Sequence, residues 1–252
     1  MNWSDFDAAL FDLDGVLTPT AAVHMRAWDR MFSEYLDGRG VAEKYITDDY
    51  FAHIDGKPRF DGVRDLLASR GISLPEGAPD DAPDQETVCG LGNRKNAMFC
   101  AILDDEGVAP YAASVRLLDD LELEGTAMAV VSSSRNATRV LAAAGLAERF
   151  PVVVDGTVAA REGLEGKPSP ATYLRAAELL GVTAQGSVVF EDALSGVASG
   201  RAGRFGLVVG VDRGVGAQAL LDAGADVVVA HLDELVPDAL HRRAHRSVPF
   251  AG

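Results

Sequence analysis

The chain has 252 residues, 48% of them hydrophobic, which is enough for the buried core of one large domain or of one domain with a smaller insert. Its formal net charge at pH 7 is −15, and its isoelectric point is near 4.6. We therefore expect no nucleic acid and no anionic membrane as the main partner, because both need a basic surface.

The N-terminal segment and the two cysteines indicate the compartment. Residues 1–15 have no basic region and no long apolar stretch, so we expect no signal peptide, no membrane span and a cytoplasmic location. Cys89 and Cys100 are too few for a disulfide framework in a chain of this size, and we expect both to be small buried residues. We expect a monomer that binds a small ligand.

Six short apolar runs are typical of buried strands. In chain order they are AALF before Asp12, AMAVV before Ser132, PVVV before Asp155, SVVF before Glu191, GLVVG near residue 208 and DVVV near residue 228. Helical patterns of ordinary length separate most of these runs. Continuous apolar runs that alternate with helices indicate a parallel sheet with helices on both faces, so the sequence predicts an α/β fold.

The alternation breaks once, after Leu17, and returns only at Ala127. Apolar residues recur there at helical spacing, first over 28–36 and again over 63–67, ahead of the helix stop Gly71. We predict a further helix over 85–106 and, because of its Pro, Asp and Gly content, an exposed loop over 74–86. These features predict a helical cap domain over 21–109, inserted into a core domain formed by 1–20 and 110–252.

Acidic and hydroxyl side chains follow several of the predicted strands. They are Asp12, Asp14, Ser132, Ser133, Ser134, Glu191 and Asp192. Lys167 lies just before a predicted helix that Ser169 can cap, with Pro170 at the first helical position. Because the ligand site of an open α/β sheet lies beyond the carboxyl ends of its strands, we expect all these side chains at one edge of the sheet.

This set of side chains suits a phosphoryl group and a hard divalent cation. Asp12, Asp14 and Asp192 offer the oxygen ligands that Mg²⁺ prefers, with Glu191 as a further candidate ligand. Such a cation would let an anionic phosphate approach an anionic nucleophile. The Lys167 ammonium, the Ser132 hydroxyl and backbone N–H groups of the helix after Ser134 suit the remaining phosphate oxygens.

Asp12 and Asp14 can divide the chemistry between them. Asp12 can attack phosphorus to form an aspartyl phosphate, while Asp14 protonates the leaving oxygen and later deprotonates the incoming hydroxyl. For that role Asp14 needs a raised pKa, from burial or from its neighbours. The alternative is that both aspartates only form a turn, because Asp-Gly favours turns.

Four segments together resemble the motifs of the haloacid dehalogenase-like phosphotransferases. They are DLDGVLT at 12–18, Ser132 after a strand, Lys167 in GKPSP, and FEDALSGV at 190–197. The likeness covers 1–20 and 110–230, and the helical segment between them corresponds to the small cap that one subgroup inserts after the first motif. The resemblance implies a Rossmann-like core, magnesium dependence and an aspartyl-phosphate intermediate.

A narrower likeness extends into the cap. DLDGVLTPTAAVHMRAW, VSSSRN and RKN at 94–96 are similar to the β-phosphoglucomutase-like subgroup, which interconverts β-glucose 1-phosphate and glucose 6-phosphate through a bisphosphate. By this likeness Asp12 is the nucleophile and Asp14 the acid/base. Ser132, Ser133 and Lys167 would hold the transferring phosphate.

The same likeness assigns substrate-binding residues in and near the cap. His24 would lie beside the acid/base, where the cap joins the core. Arg59 in DGKPR would hold the phosphate that is not transferred, and Lys95 in RKN would also come from the cap. Arg135 and Asn136 would lie near the substrate, which we expect to be a small phosphorylated sugar.

Two features depart from the subgroup and leave the substrate open. Pro19 stands where an acidic residue is common, and the 74–86 segment enlarges the cap. Because the cap shapes the pocket, both features bear on which sugar is bound, and neither alters the core chemistry. The expected function is a β-phosphoglucomutase, and the alternatives are a phosphatase with the same core or, more remotely, a non-catalytic sugar-phosphate binding protein.

Overall fold

The computed structural model describes residues 3–55 and 57–237, and these residues form a six-stranded parallel sheet. The strands are β1 (Ala8–Phe11), β2 (Ala127–Val131), β3 (Val152–Val154), β4 (Ser187–Glu191), β5 (Leu207–Val211) and β6 (Val227–Val229). Their order across the sheet is β3-β2-β1-β4-β5-β6. All six predicted strands are confirmed, and the order reverses between β1 and β4, which is where doubly wound sheets bind ligands.

Helices separate the strands along the chain. They are α1 (Thr20–Gly38), α2 (Thr47–Asp49), α3 (Arg59–Ser69), α4 (Val88–Glu106), α5 (Ala112–Glu124), α6 (Ala137–Ala143), α7 (Gly156–Glu162), α8 (Ala171–Leu180), α9 (Leu194–Ala202) and α10 (Ala217–Ala223). A π-helical turn, Tyr50–Ile54, follows α2, and 3-10 turns occupy Trp3–Asp5, Ala147–Arg149 and Leu232–Leu235.

Alternate residues of the central strand pack into different clusters. Phe11 belongs to a cluster with residues of α5 and α6, whereas Leu10 belongs to one with residues of α8, α9 and α10. Because successive strand side chains point to opposite faces, a strand buried on both faces must be apolar throughout, as AALF is. The predicted α/β fold with a Rossmann-like sheet is therefore confirmed.

The helices between β1 and β2 pack around an apolar cluster of their own. Trp28, Met31 and Phe32 of α1 contribute to it, together with residues of α3 and the first half of α4. The ends of α1 and α4 nearer the sheet, including Val23 and Phe99, pack instead against the sheet cluster. The cap and core boundaries given above stay a prediction, and residues 1, 2 and 238–252 of that core lie outside the described residues.

Two local predictions need correction. The helix expected over 85–106 begins at Val88, because the Thr87 hydroxyl accepts a hydrogen bond from Gly90 N at 2.9 Å and caps it. Pro170 immediately precedes α8 rather than opening it, although the Ser169 hydroxyl does accept a hydrogen bond from Ala171 N at 3.4 Å. The loop expected over 74–86 contains neither helix nor strand and is mostly exposed.

Two expectations from composition concern the cysteines and membrane spans. Cys89 and Cys100 are both free, but only Cys89 is fully buried, since Cys100 is half-buried. Over 3–55 and 57–237, the structure contains no helix with the length and apolar character that a bilayer crossing requires.

Candidate active site

A cavity of about 340 Å³ lies between the carboxyl ends of the strands and the helices that follow β1. Every residue that the sequence analysis named as catalytic, metal-binding or substrate-binding lines it: Asp12, Asp14, His24, Arg59, Lys95, Ser132, Ser133, Arg135, Asn136, Lys167, Glu191 and Asp192. The site spans the ends of β1 and β4, where the strand order reverses. The sequence therefore located the cavity, while the role of each residue stays a prediction.

Three carboxylates form a compact acidic cluster at the ends of β1 and β4. One oxygen of each of Asp12, Glu191 and Asp192 lies within 4.8 Å of the other two. Burial raises the pKa of Asp12 well above its usual range, although Lys167 opposes the shift. Burial and the charge of Asp12 likewise raise the pKa of Asp192. A hard divalent cation fits this donor set, because it would relieve the repulsion between buried carboxylates.

Lys167 neutralises part of this cluster. Its ammonium donates to Asp12 Oδ1 at 2.5 Å, to Val131 O at 3.2 Å and to Glu191 Oε1. Burial alone would lower the pKa of Lys167, but the carboxylates of Asp12 and Glu191 outweigh it, and the pKa is raised. Lys167 therefore stays charged beside the expected nucleophile.

Within 3–55 and 57–237, Glu191 has two hydrogen-bond donors besides Lys167. The Tyr173 hydroxyl donates to its Oε1 at 3.0 Å, and Ala193 N donates to its Oε2 at 3.2 Å. Its side chain is 1% exposed. These contacts hold the carboxylate in one orientation, from which it both orients Lys167 and reaches the acidic cluster.

Glycines make room for the carboxylates. Gly15 has a φ of +82°, and a Cβ atom built there would lie 1.8 Å from Asp192 Oδ2. A Cβ atom on Gly196 would lie 1.8 Å from Glu191 Oε1. The first and fourth motifs thus need glycine at these positions, because any side chain would displace a carboxylate of the cluster.

Serine hydroxyl groups form hydrogen bonds within the loop 132–136, which follows β2. The buried Ser132 hydroxyl accepts a hydrogen bond from Ser134 N at 3.1 Å, and the Ser134 hydroxyl accepts one from Asn136 N at 3.1 Å. Helix α6 begins directly afterwards, at Ala137. The N–H groups of Ser134 and Asn136, just before this helix, are therefore held by serine oxygens here.

Asp14, also predicted as a Mg²⁺ ligand, contributes none of the three carboxylates of the acidic cluster and contacts α1. Its carboxylate accepts a hydrogen bond from the Thr20 hydroxyl, and its Oδ1 lies 3.7 Å from His24 Nε2. Burial raises the pKa of Asp14, although the hydrogen bond from Thr20 and the charge of Lys95 oppose it. A raised pKa is the condition that the acid/base role requires.

His24 connects Asp14 to Lys95. The Lys95 ammonium contacts His24 Nδ1, and the His24 ring stacks on Phe99 with ring centroids 4.0 Å apart. Burial lowers the pKa of His24 well below its usual range and lowers that of Lys95 to about 7. His24 is therefore neutral at pH 7, and Lys95 is poised between its charged and neutral forms.

Arg59 and Arg135 form a second cationic group on the cap side of the cavity. Their guanidinium carbons lie 5.9 Å and 5.6 Å from the centre of the Phe60 ring. Arg59 donates to Asn93 Oδ1 at 3.2 Å and to Asn96 Oδ1 at 2.8 Å. Burial and the charge of Arg135 lower the pKa of Arg59 to about 10. Two neighbouring guanidinium groups, one of them held by neutral amides, suit an anion.

Several cavity residues escaped the sequence analysis. Asn96 ends the RKN segment in which only Lys95 was chosen. Thr20 does not line the cavity, but its hydroxyl donates to Asp14, and it follows the first motif closely enough to have been found. Asn136 Nδ2 donates to Asn96 Oδ1 at 2.7 Å, so Asn96 joins the loop after β2 to Arg59. Tyr50 and Asp55 also line the cavity, and no motif in the sequence marks them.

The family comparison agrees with this geometry. The model of the family described as haloacid dehalogenase-like hydrolase matches residues 6–204. The match takes in well over half of the 252 residues. The chain therefore belongs to the haloacid dehalogenase-like hydrolase family, as the four motifs predicted.

Within this family, the chain is similar to several individual proteins. A Mycobacterium tuberculosis protein named beta-phosphoglucomutase is 51% identical to the chain in an alignment of 238 residues that covers 91% of each. Another M. tuberculosis protein, named an uncharacterized glycosyl hydrolase, is 40% identical in an alignment of 231 residues that covers 90% of this chain and 17% of that protein. The crystal structure of a beta-phosphoglucomutase from Clostridium difficile has a TM-score of 0.73 at 24% identity, covers 96% of this chain and 98% of its own, and supports the fold.

Proposed function

We propose that the protein transfers phosphoryl groups through a phosphorylated Asp12 and acts as a β-phosphoglucomutase. The observation that carries the proposal is one cavity with two cationic groups, Lys167 beside Asp12 and the Arg59–Arg135 pair on the cap side. A mutase needs two phosphate sites, because its bisphosphate intermediate carries a phosphate at each end. The 51% identity to a protein named beta-phosphoglucomutase supports the same reading.

Asp12, Glu191 and Asp192 would hold Mg²⁺, the cation that we propose for this site. When bound, the cation would neutralise the transferring phosphoryl group and the carboxylates around it. The neighbouring Lys167 ammonium and Ser132 hydroxyl would bind the phosphoryl oxygens.

Asp12 provides the nucleophile in the first half of the cycle. One carboxylate oxygen of Asp12 attacks phosphorus, the bond from phosphorus to the sugar oxygen breaks, and Asp14 donates its proton to that oxygen. In the second half, a hydroxyl oxygen of the sugar attacks the phosphorus on Asp12. Asp14 takes the hydroxyl proton, and the Asp12 carboxylate is released.

The cap-side cations would bind whichever phosphate of the sugar is not being transferred. Arg59 and Arg135 would bind the phosphate that is not transferred, since their guanidinium groups can hold it bidentately. The same contacts would be available after the sugar has turned end for end. Interconversion of β-glucose 1-phosphate and glucose 6-phosphate is the reaction that this arrangement and the named relative favour together.

A phosphatase is the second candidate function, because the matching family model is described as a hydrolase and the core chemistry would be the same. In that reaction water, rather than a sugar hydroxyl, attacks the phosphorus on Asp12.

We also propose that the protein is a monomer and is cytoplasmic. Size-exclusion chromatography with light scattering would test whether it is a monomer.

Phosphorus NMR separates the candidates. The protein is mixed with Mg²⁺, β-glucose 1-phosphate and a catalytic amount of glucose 1,6-bisphosphate, with the Asp12→Asn variant as the control. We expect glucose 6-phosphate to appear without a matching amount of free phosphate. Accumulation of free phosphate would identify a phosphatase, and an unchanged spectrum would refute glucose phosphate as the substrate.

A further inference from the structure

Arg213 lies in the loop after β5 and reaches across to the first motif. Its Nε donates to Gly15 O at 2.6 Å, and its Nη1 donates to Ala230 O at 3.0 Å. The guanidinium carbon lies 4.1 Å from the centre of the Tyr111 ring. Arg213 therefore connects three segments of the chain, although it does not line the cavity.

The carbonyl that Arg213 binds belongs to a residue packed against the acidic cluster. Gly15 follows Asp14, and a Cβ atom on it would lie 1.8 Å from Asp192 Oδ2. The Gly15 backbone is thus confined between the Asp192 carboxylate and the Arg213 guanidinium. Any shift of Gly15 would change the position of Asp14 relative to Asp192.

Tyr111 holds the same loop from a second point. Its backbone N donates to Leu17 O at 2.9 Å, and its ring packs on the Arg213 guanidinium. Arg213 and Tyr111 therefore both hold the 15–17 backbone, which follows directly on Asp12 and Asp14. The Ser114 hydroxyl holds it at a third point, because it donates to Val16 O at 2.7 Å.

The half-buried guanidinium is not explained by packing alone. Its Nη2 is buried and has no hydrogen-bond partner among the described residues, although leaving a buried donor unpaired is costly. An apolar side chain could fill the space beside Tyr111 without that cost. A donor at this position is needed to hold the carbonyl groups of Gly15 and Ala230, and of these two the Gly15 carbonyl belongs to the first motif.

We propose that Arg213 is a positioning residue for phosphoryl transfer, which sets the spacing between the Asp12–Asp14 segment and Asp192. The inference rests on the proposed function, because that spacing matters only if these carboxylates bind Mg²⁺ and the phosphoryl group. Groups that orient metal ligands from outside the site affect metal affinity or activity by about 10- to 100-fold.

The test compares Arg213→Met, which keeps a long side chain and removes the donors, with Arg213→Lys, which restores a cationic donor. Arg30→Met, at an exposed arginine of α1, is the matched control. Mg²⁺ affinity is measured by titration calorimetry without substrate, and kcat and KM are measured with p-nitrophenyl phosphate. Thermal unfolding of each variant shows whether it is folded.

For Arg213→Met we expect Mg²⁺ affinity and kcat to fall about 10-fold or more, with KM changed less than about 2-fold. Arg213→Lys should recover part of both losses, and Arg30→Met should match the unaltered protein. Wild-type Mg²⁺ affinity and kcat in a folded Arg213→Met would overturn the inference. If Arg213→Met does not fold, Tyr111→Leu, which removes the ring beneath the guanidinium, decides in the same way.

Failure of this inference is distinguishable from failure of the proposed function. If the unaltered protein binds no Mg²⁺ and turns over no phosphomonoester, the proposed function is refuted. If the unaltered protein binds Mg²⁺ and turns over a phosphomonoester, and the Arg213 variants match it in both measurements, only the role of Arg213 is refuted.

Discussion

The sheet side of the cavity holds its charged groups with charged partners, whereas the cap side holds its own with amides and aromatic rings. On the sheet side, Lys167 lies between Asp12 and Glu191. On the cap side, Arg59 donates to two asparagine oxygens, and the Lys95 ammonium lies 4.8 Å from the centre of the Trp28 ring. Lys167 and Lys95 are buried and Arg59 is half-buried, but of these three cations only Lys167 is paired with carboxylates in the part of the chain that the structure describes.

This difference indicates what each side does. On the sheet side, Lys167 offsets part of the negative charge of the carboxylates, so removing it leaves buried charges without their partner. Neutral amides and ring faces orient a cation without cancelling its charge, so Arg59 can still attract an anion. Substitutions on the sheet side should therefore damage both chemistry and folding, while those on the cap side should change which substrate is used.

The largest effect is expected for Asp12→Asn. This change removes the nucleophile while keeping the size of the side chain, so turnover should fall on the order of 10⁴-fold or more. Steady-state rates with p-nitrophenyl phosphate measure the loss, and Asp80→Asn in the exposed 74–86 loop is the control. Turnover within tenfold of the unaltered protein would exclude Asp12 as the nucleophile.

Lys167→Met should affect both rate and stability. Without the ammonium, Asp12 and Glu191 are left buried and repelling each other, which should lower the free energy of unfolding by about 3–5 kcal/mol. Loss of a group that binds the phosphoryl oxygens should lower kcat by about 10²- to 10³-fold. Urea unfolding and steady-state kinetics test the two effects, with the exposed Lys44→Met as control. A variant that loses rate but not stability would contradict the neutralising role of Lys167.

Arg59→Ala should separate the two phosphate sites. Loss of the bidentate cap-side cation should lower mutase turnover about 100-fold, while hydrolysis of p-nitrophenyl phosphate, which has a single phosphate, changes by less than about 3-fold. The mutase turnover of Arg59→Lys should lie between that of the unaltered protein and that of Arg59→Ala, because an ammonium keeps the charge without the planar guanidinium. Equal losses with both substrates would argue against a phosphate site on the cap.

The smallest effect concerns pH and Lys95. Burial lowers its pKa to about 7, so in the free protein Lys95 is mostly charged at pH 6 and mostly neutral at pH 8. Sulfate, which does not titrate in this range, should bind up to about 10-fold more weakly at pH 8 than at pH 6, because the attracting charge is lost. Calorimetry should show proton uptake on binding near pH 8, and Lys95→Met should remove both effects. If the pH dependence of sulfate binding persists in Lys95→Met, another titrating group causes it.

The sequence located the sheet-side residues because their positions follow from topology. Any residue directly after a strand of a parallel sheet must lie at one edge, so Asp12, Ser132 and Asp192 had to come together once the strands were recognised. The same reasoning could not orient them. Asp14 is only two residues from Asp12, yet its carboxylate meets Thr20 on α1 rather than the acidic cluster.

The cap side was predicted from resemblance and could not be derived from spacing. Arg59, at the start of α3, and Asn96, on α4, are brought together by packing of the cap helices, which leaves no periodic signal in the chain. Tyr50 and Asp55 lie at the ends of an irregular turn that the apolar pattern does not mark. Arg213 was missed because its partner is a backbone carbonyl, which any sequence provides.

The most direct test is to trap the phosphorylated protein. The enzyme is quenched in acid during turnover, and its peptides are analysed by mass spectrometry for an added phosphoryl group, with Asp12→Asn treated in parallel. Phosphoryl transfer through Asp12 predicts the modification on the peptide that contains DLDGVLT and on no peptide of the variant. A phosphoryl group on another residue, or an unmodified protein during full turnover, would contradict it.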